Sequence, residues 1–349
     1  MPDVVFAIPG DIDTPTGGYA YDRRLLAELP AAGVPASHLA LPGGFPFASV
    51  PELGEAGYLL RQTPSDAVVM VDGLAFGALT DLVLKDIDRR FVALVHHPLA
   101  LETGLNDRQR RALAASETSA LARAVAVVVT SPLTAAILAA DYGVPAARIT
   151  VAEPGTDPAP RAAGSGGTVP TLIAVGSISR RKAYGVLVEA LAGLADRPWR
   201  LRIVGPDDRD PDEAARLRAL VAGHGLSGRI AIEGALDAAA LDAAYAEADL
   251  FVMSSLFEGY GMVLAEALAR GLPIVCTTGG AAAQTVPDGA GLKVPPGDVP
   301  ALRDAIAAAL DDPARRAALA DASWAAGRSL PSWSRTAATV ANVLKAAGA

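Results

Sequence analysis

Two glutamates, Glu258 and Glu266, enclose the stretch EGYGMVLAE at residues 258–266. The apolar run 248–255 before them is typical of a buried strand, and the run 262–270 after them is rich in the helix formers Ala, Leu and Glu. We therefore expect a strand–loop–helix junction, with Glu258 in the loop and Glu266 about one turn into the helix. Two carboxylates so placed could accept hydrogen bonds from a phosphorylated, polyhydroxylated ligand.

The glycines between the glutamates strengthen this interpretation. Gly259 and Gly261 lack a Cβ atom, so the backbone there can turn sharply and approach a ligand closely. The start of the following helix, near Met262, offers unpaired N–H groups and the positive end of its dipole to an anion. The alternative is a pair of solvated surface glutamates around an ordinary glycine turn.

A second group of residues has the same strand-to-helix setting. An apolar strand ends at Gly176, the cations Arg180, Arg181 and Lys182 follow, and a helix begins. Cations beside a helix N-terminus suit a pyrophosphate. Three basic loop residues can equally be solvated, but their position is equivalent to that of Glu258 in the same half of the chain.

Composition excludes several classes of protein. Of the 349 residues, 51% are hydrophobic and 19% charged, which indicates a globular chain with enough apolar surface for two domains. The net charge is −8 and there is no long Lys/Arg run, which argues against a nucleic acid partner. Cys276 is the only cysteine, so no intrachain disulfide forms, and we expect it in a buried strand.

Targeting and metal signals are also missing from the sequence. Residues 2–9 lack a basic n-region, and the apolar tract 124–140 is interrupted by Thr130, Ser131 and Pro132, so we expect a cytoplasmic protein. Apart from the pair His96-His97, the histidines are scattered, and we expect no metal site.

Short apolar strands alternate with helical stretches, the pattern of parallel sheets with crossover helices. In the first half we predict strands at 3–8, 37–41, 67–71, 91–96, 125–130 and 148–152, and helices at 18–32, 51–62, 105–123 and 132–142. After a segment rich in Pro, Gly and Ser, we predict strands at 171–176, 200–204, 229–233, 249–254, 273–277 and 291–294, with helices near 183–195, 211–223, 237–247, 262–270 and 299–310.

This pattern predicts two α/β domains. We place the first at 1–155, a linker at 156–170 and the second at 171–330, with a last helix in 331–349 that packs back on the first domain. Ligands of such sheets bind at the carboxyl ends of the strands, and we expect the cleft between the domains to hold the ligand.

With these motifs, the chain resembles the retaining glycosyltransferases of family 4 (glycosyltransferase group 1) over nearly its whole length. The most specific element is the pair of glutamates with seven residues between them, and the segment from Gly176 to Lys182 resembles the family's donor loop. Gly17-Gly18 resembles the first glycine-rich loop, and His96 the histidine at the end of a central strand. The resemblance implies the GT-B fold, two doubly wound Rossmann-like domains facing each other across a cleft.

The resemblance also implies roles for individual residues. Lys182, helped by Arg181, would neutralise the departing diphosphate, Glu258 would bind hydroxyls of the transferred sugar, and Glu266 the ribose. His96 would face the sugar and the acceptor. The residues expected to bind the donor are Gly18, Gly176, Ser177, Gly205, Gly259, Tyr260, Gly261, Met262, Val263 and Glu266.

Three positions depart from the family pattern, and one histidine pair is ambiguous. Ser177 stands where arginine is usual, Ala183 where glycine is usual after the lysine, and Gln284 near where glutamate is common. The doublet His96-His97 leaves open which histidine faces the ligand.

The predicted function is retaining transfer of a sugar from a nucleoside-diphosphate donor substrate, without a metal or other cofactor. Alternatives are a nucleotide-sugar epimerase or a phosphorylase on the same fold, or a non-catalytic nucleotide-sugar-binding protein. A nicotinamide oxidoreductase is disfavoured, because no G-x-G-x-x-G follows the first strand. The acceptor and the oligomeric state stay open. A soluble acceptor is favoured over a lipid, because the basic stretch 106–111 is diluted by nearby acidic residues.

Overall fold

A computed structural model describes residues 3–349, and its contacts divide the chain into two compact units. The first consists of the described residues up to Gly155 together with Pro331–Ala349. The second is Thr156–Leu330. Each unit contains one parallel six-stranded sheet.

The sheet of the first unit has the strand order β2-β1-β3-β4-β5-β6, with every neighbouring pair parallel. Its strands are β1 (Val4–Pro9), β2 (Ala36–Leu41), β3 (Val68–Asp72), β4 (Arg90–Val95), β5 (Ala126–Val129) and β6 (Ile149–Val151). Its helices are α1 (Gly17–Glu28), α2 (Val50–Gln62), α3 (Gly73–Phe76), α4 (Asp81–Leu84), α5 (Asp107–Arg123), α6 (Pro132–Asp141) and, from the end of the chain, α14 (Trp333–Gly348). Short 3₁₀ turns occur at Leu99–Leu101 and Ala146–Arg148.

The second unit has the order β12-β11-β10-β7-β8-β9, again entirely parallel. Its strands are β7 (Thr171–Val175), β8 (Arg200–Val204), β9 (Ile230–Ile232), β10 (Leu250–Met253), β11 (Ile274–Thr277) and β12 (Gly291–Val294). Its helices are α7 (Tyr184–Ala192), α8 (Pro211–Gly223), α9 (Ala238–Ala246), α10 (Met262–Ala269), α11 (Ala282–Thr285), α12 (Val299–Asp311) and α13 (Pro313–Gly327).

The central strands are buried on both faces, which explains their continuous apolar sequence. All five residues of β3 and all four of β10 are buried. Burying one such Val, Leu or Phe side chain stabilises the fold by about 1.5–3 kcal/mol, so these short strands supply much of each core. Cys276 lies buried within β11, as predicted.

Local signals fix where the helices begin. Ser49 and Asn106 form capping boxes with Glu52 and Gln109, which satisfies N–H groups that the first turns of α2 and α5 leave unpaired. At the end of the chain, Ser332 caps α14. The next residue, Trp333, is buried and packs edge-on against Tyr21 of α1, with ring centroids 5.6 Å apart.

The two doubly wound α/β halves predicted from the sequence are confirmed, and each of the twelve predicted strands overlaps an observed one. Three four-residue helices, α3, α4 and α11, were not predicted, because one turn is too short to show a helical period. Between residues 3 and 349, no helix combines the length and the hydropathy needed to cross a bilayer.

Candidate functional site

In the second sheet the chain order reverses between β7 and β10. From β7 the chain adds β8 and β9 on one side, and it then returns to add β10, β11 and β12 on the other. Loops that leave neighbouring strands at such a reversal diverge and leave a crevice at the carboxyl edge, where ligands of open α/β sheets bind. The loop after β7 carries Gly176–Lys182, and the loop after β10 carries Glu258.

These two loops meet in a buried ion cluster. Lys182 Nζ lies 2.7 Å from Glu258 Oε1, and Arg181 Nη1 lies 3.2 Å from Glu258 Oε2. Arg181 Nη1 also donates to the carbonyl of Phe257 at 2.9 Å. Burial alone would raise the pKa of Glu258, but the charges of Lys182 and Arg181 outweigh it and hold that pKa at about 2. Glu258 is therefore a carboxylate with a cation on each oxygen.

Two glycines allow close packing in this crevice. A Cβ atom on Gly176, whose φ is +144°, would lie 2.7 Å from Lys182 Cε, so the lysine chain passes directly over this residue. Gly205, which follows β8, faces the Gly176–Ser177 backbone so closely that a Cβ atom there would collide with the Gly176 carbonyl. Both glycines are among the predicted donor-binding residues, and the structure shows that Gly176 lies against the lysine chain and that Gly205 packs on the Gly176 backbone.

Main-chain hydrogen bonds connect the loops of this crevice. Leu256 N donates to Arg181 O at 2.8 Å, and Ser254 Oγ donates to Lys182 O at 2.9 Å. The third loop, after β11, joins through Glu258 N to Gly279 O at 3.2 Å, and through Ala281 N to Glu258 O at 2.8 Å. Lys182 and Glu258 are thus held by the backbone as well as by their ion pair.

The residue after Lys182 has an unusual conformation. Ala183 precedes α7 with φ +49° and ψ +43°, and it is the one non-glycine residue with positive φ among residues 3–349. This left-handed conformation costs a side chain about 1–2 kcal/mol, which explains why glycine suits the position. Arg180, by contrast, is exposed, and its nearest ion partner is Asp210 Oδ2 at 3.9 Å.

The second glutamate of the pair lies in α10 and has separate partners. Tyr245 of α9 donates from its hydroxyl to Glu266 Oε2 at 2.8 Å. Arg270 stacks over the Tyr245 ring, 4.6 Å from its centroid, and donates to the Glu266 carbonyl. Burial raises the pKa of Glu266, and the hydrogen bond from Tyr245 opposes that rise. One carboxylate oxygen of Glu266 is therefore fixed by Tyr245.

The segment between the glutamates ends at the N-terminus of α10. Gly259 and Tyr260 form a bend, and Gly261 caps the helix in the left-handed region with φ +91°. The first-turn N–H groups of a helix, here those of Met262 and Val263, have no partner within the helix and attract anions. The structure therefore brings the predicted anion-binding turn and the Lys182–Glu258 pair to the same carboxyl edge of the sheet.

The remaining predicted residues, Gly18 and His96, lie together in the first unit. A Cβ atom on Gly18 would lie 3.4 Å from His96 Cδ2, so the ring packs directly on this glycine. His96 Nε2 lies 3.2 Å from Asp22 Oδ1 and 3.2 Å from Asp72 Oδ2. The neighbouring His97 faces Glu102, with its Nε2 3.4 Å from Glu102 Oε2.

Two groups of this cluster, Asp22 and His96, have strongly shifted pKa values. Burial and the charge of Asp72 raise the pKa of Asp22 to about 7, although His96 opposes the rise. For His96, burial lowers the pKa, but hydrogen bonds and charge from Asp22 and Asp72 outweigh it and raise the pKa to about 10. The same three residues are, among the described part of the chain, the group whose geometry could ligate a cation, with ligand atoms within 4.8 Å of one another.

Sequence reasoning missed three residues of these clusters. Asp72 carried a signal, because a carboxylate directly after a buried strand is costly without a partner. Asp22 lies on the buried face of α1, where a charged residue is equally unexpected. Tyr245 had no recognisable signal, since an aromatic residue in a helix is ordinarily a core residue.

Two family models match most of the chain. The model described as "Glycosyl transferase 4-like domain" matches residues 4–155, and the model described as "Glycosyl transferases group 1" matches residues 169–312.

Curated relatives match shorter parts. The chain is 36% identical over 173 residues to D-inositol 3-phosphate glycosyltransferase of Pseudarthrobacter chlorophenolicus, which covers 48% of this chain and 40% of that protein. It is 35% identical over 115 residues to mannosylfructose-phosphate synthase of Agrobacterium fabrum, covering 31% of this chain and 25% of that protein. These matches span less than half the length of either relative.

Solved structures resemble the whole chain. Sucrose-phosphate synthase from Thermosynechococcus elongatus superposes with a TM-score of 0.83 at 23% identity, covering 99% of this chain and 98% of that one. Anabaena HepE, solved in complex with UDP-glucose, superposes with a TM-score of 0.79 at 17% identity, covering 98% and 99%. At such identities the likeness shows the fold, which is GT-B.

Proposed function

We propose that this chain, which belongs to the glycosyltransferases of group 1, transfers a sugar from a nucleoside-diphosphate donor to an acceptor hydroxyl with retention of the anomeric configuration. The observation that carries the proposal is the buried cluster in which Lys182 and Arg181 converge on Glu258 at the strand-order reversal of the second sheet. In this cluster two cations and a carboxylate, which we propose to bind the sugar, lie beside the N-terminus of α10.

The diphosphate and the sugar of the bound donor would contact different residues of this cluster. The diphosphate would take over the cations Lys182 and Arg181, which are held with their charges close together only because Glu258 neutralises them. The Glu258 carboxylate, released from one or both cations, would then accept hydrogen bonds from hydroxyls of the sugar. A carboxylate so satisfied stays favourable when buried, whereas an unpaired one does not.

Glu266 would bind the ribose of the donor. Tyr245 holds Oε2, which leaves Oε1 to accept from a ribose hydroxyl. The turn Gly259–Gly261 and the first N–H groups of α10 would contact the diphosphate. Gly176, Ser177 and Gly205 would shape the floor beneath it.

In the transfer itself, the bond between the anomeric carbon and the diphosphate oxygen breaks, and its electron pair stays on the diphosphate. The acceptor oxygen forms the new bond on the same face of the sugar, and its proton leaves with the diphosphate or to solvent. Negative charge thus grows on the leaving diphosphate, where fixed cations and a helix dipole stabilise the transition state most. Lys182 and Arg181 would therefore act on kcat as well as on binding.

The chemistry needs no group beyond these residues, and we propose a metal-independent enzyme. The acceptor is proposed to be a soluble polyol or sugar rather than a lipid. The basic residue Arg110, in the stretch that could have approached a lipid surface, donates to the carbonyls of Ala100 and Leu105 instead. The name of one relative states the acceptor D-inositol 3-phosphate, which makes phosphorylated polyols the first to test.

The test is a donor and acceptor screen. The purified chain is incubated with UDP-, GDP- and ADP-sugars, with and without acceptors that include D-inositol 3-phosphate, and release of free nucleoside diphosphate is followed. We expect one donor class to be consumed in an acceptor-dependent way, and the anomeric proton of the product to show the donor's configuration by NMR. Product of inverted configuration would refute retention, and binding of none of these donors would refute the function.

Two matched variants distinguish the specific role of Lys182 from the general effect of removing a positive charge. Lys182→Ala should lower kcat by about a hundredfold or more, because it removes a cation facing the leaving group. Arg180→Ala removes the exposed cation two residues away and should leave kcat within about twofold, since an exposed charge contributes little. Equal losses in both variants would contradict the role of Lys182.

A further inference from the structure

The cluster around His96 in the first unit occupies the position that corresponds to the donor cluster in the second. The order of the first sheet reverses between β1 and β3. Asp22 lies in the helix that follows β1, Asp72 is the last residue of β3, and His96 is the first residue after β4. Three titratable side chains therefore meet at the carboxyl edge of this sheet, where a ligand is expected.

One ring nitrogen of His96, Nε2, already has partners within the protein. Nε2 lies 3.2 Å from an oxygen of Asp22 and 3.2 Å from an oxygen of Asp72. Two carboxylate oxygens at that distance favour a hydrogen on Nε2, because an unprotonated nitrogen would set its lone pair against both. Nε2 is thus a shared donor within the protein. Nδ1 has no hydrogen-bond partner among the residues that the structure describes, so it is the nitrogen left for a ligand.

The ring cannot turn to exchange its nitrogens. Gly18 closes one side of the ring, and Tyr21 packs edge-on against it at 5.3 Å between centroids. The carbonyl of His96 accepts from Thr130 Oγ1 at 3.0 Å, which fixes the backbone. Asp72 is held as well, because its Oδ1 caps α3 by accepting from Leu74 N at 2.8 Å.

The surrounding charges favour a second proton on the ring. The titratable groups that face His96 are Asp22 and Tyr21 from α1 and Asp72 from the end of β3, while Thr130 and Thr134 contribute neutral hydroxyls. Asp22 is fully buried and Asp72 nearly so, and Asp22 Oδ2 has no hydrogen-bond partner. Both buried carboxylates contact His96, and their negative charge stabilises its charged form. A general base needs an unprotonated ring nitrogen near the working pH, and the two carboxylates raise the pKa of His96 above that range.

We propose that Asp22 and Asp72 are positioning residues that hold His96 as an imidazolium, so that it presents Nδ1–H as a charged hydrogen-bond donor to an oxygen atom of the bound substrate. His96 is then a catalytic residue that stabilises negative charge and never a proton acceptor. The inference rests on the proposed glycosyl transfer for the identity of the substrate, but the state of the ring is a property of the free protein.

The closing experiment follows the histidine rings directly. The chain has four histidines, so ¹⁵N NMR of the protein labelled at histidine gives a spectrum in which His96→Gln identifies one ring. In the wild type we expect both nitrogens of His96 to stay protonated through about pH 8, since the pKa lies near 10. Asp72→Asn keeps the cap on α3 and should lower the midpoint by at least about one pH unit, because it removes a neighbouring charge. A wild-type ring that is neutral at pH 7.5 would overturn the proposal.

The alternative is that His96, Asp22 and Asp72 bind a metal cation, and the same spectra distinguish the two possibilities. Zn²⁺ or Mn²⁺ bound by His96, Asp22 and Asp72 would displace the proton from Nε2. We expect no change in the His96 resonances on adding micromolar Zn²⁺, and no broadening by Mn²⁺ beyond that of His38. Loss of the Nε2 proton on metal addition would replace the imidazolium by a metal site and overturn the inference.

Kinetic measurements test whether the protonation of the His96 ring affects turnover. If the midpoint of the ring falls by about one pH unit, from near 10 to near 9, Asp72→Asn should lower kcat/KM about threefold more at pH 9.5, where its ring has largely lost a proton, than at pH 7. His97→Gln, which alters the adjacent histidine, should show no such pH dependence. An equal loss for Asp72→Asn at both pH values would indicate a structural role and contradict the proposal. If no nucleotide sugar is turned over, the proposed function fails while the NMR result stands independently.

Discussion

Lys182 Nζ lies 2.7 Å from Glu258 Oε1, so the two residues proposed to hold the diphosphate and the sugar are bound to each other in the free protein. Each neutralises the charge of the other in a buried setting where a lone charge would be strongly destabilising. Donor binding would exchange this ion pair for a contact between Lys182 and the diphosphate and for hydrogen bonds from sugar hydroxyls to Glu258. The site is therefore charged and positioned before the substrate arrives, which limits the reorganisation needed for catalysis.

The first prediction concerns stability in acid. The pKa of Glu258, about 2, lies below the ordinary value of an unfolded glutamate. This carboxylate therefore stabilises the fold above about pH 4.5, and the stabilisation is lost as the pH falls toward 2. A shift of this size corresponds to about 3 kcal/mol. Glu258→Gln removes the titration, so its melting temperature should fall less steeply than that of the wild type between pH 5 and pH 2.5.

The control for this prediction is Glu55→Gln, an exposed glutamate on α2. Glu258→Gln also leaves two cations without their partner, so it is expected to be less stable than the wild type at neutral pH. The slope with pH, and not the absolute stability, carries the test. Parallel profiles for the wild type and Glu258→Gln would show that the carboxylate is not held by its cations.

The second prediction concerns the space under Lys182. Gly176→Ala places a methyl group 2.7 Å from Lys182 Cε, which is closer than two carbon atoms can pack. The lysine must move away from Glu258 and from the diphosphate, and we expect kcat/KM to fall by tenfold or more, in line with the loss of about 1.4 kcal/mol or more of transition-state stabilisation.

The activities of the wild type and the variant must be compared under conditions in which both proteins are folded. Since Gly176 has φ +144°, alanine there also strains the backbone, and circular dichroism melts should confirm that the variant is folded at the assay temperature. Gly228→Ala, in the same unit with no atom near its Cβ position, is the matched control and should keep its activity. A folded Gly176→Ala protein with normal kcat/KM would mean that the lysine position is not critical.

The third prediction concerns Ala183, which adopts φ +49° at the start of α7. Glycine avoids the left-handed penalty of about 1–2 kcal/mol, but it costs about 0.5–1 kcal/mol through the entropy of the unfolded chain. Ala183→Gly should therefore raise the free energy of unfolding by about 0.5–1 kcal/mol in a urea titration. Ala192→Gly, within the right-handed part of the same helix, should lower it by a similar amount. The same sign in both variants would contradict the conformation of Ala183.

The local sequence pattern predicted the strands and helices, whereas the contacts within the candidate site depend on the order of the strands in each sheet. The parallel strands and their helices follow from apolar runs and periodicity, which are properties of neighbouring residues. The Lys182–Glu258 pair joins residues 76 positions apart. The sequence placed both at the carboxyl edge of one sheet, but adjacency of their loops depends on β10 pairing with β7.

The cluster of the first unit shows the same limit more clearly. Asp22 and His96 are 74 positions apart, and they meet because β1 and β4 both flank β3. Nothing local to either residue specifies that strand order. A buried carboxylate such as Asp72 needs a partner, because an unpaired buried charge is destabilising. Its burial and the identity of its partner, however, depend on the order of the strands in the sheet.

The last prediction concerns the link between Tyr245 and Glu266. The tyrosine hydroxyl donates to Glu266 Oε2 at 2.8 Å, and its fully buried ring stacks on Phe251 with centroids 6.2 Å apart. Tyr245→Phe keeps this packing and removes only the hydrogen bond. The Glu266 carboxylate then loses its fixed orientation toward the ribose, and we expect the Kd for the nucleoside diphosphate to rise about three- to tenfold, corresponding to about 1 kcal/mol.

The pH dependence distinguishes orientation from packing. The hydrogen bond from Tyr245 lowers the pKa of Glu266 against a rise caused by burial, so its removal raises that pKa further. If the ribose is held by the carboxylate form, donor binding is present above the pKa of Glu266 and is lost as the pH falls through it. The acid limb of donor binding, measured by calorimetry, should therefore move to higher pH in Tyr245→Phe. The exposed Tyr58→Phe is the control and should match the wild type, whereas a weaker Kd in Tyr245→Phe with an unmoved acid limb would assign Tyr245 to packing alone.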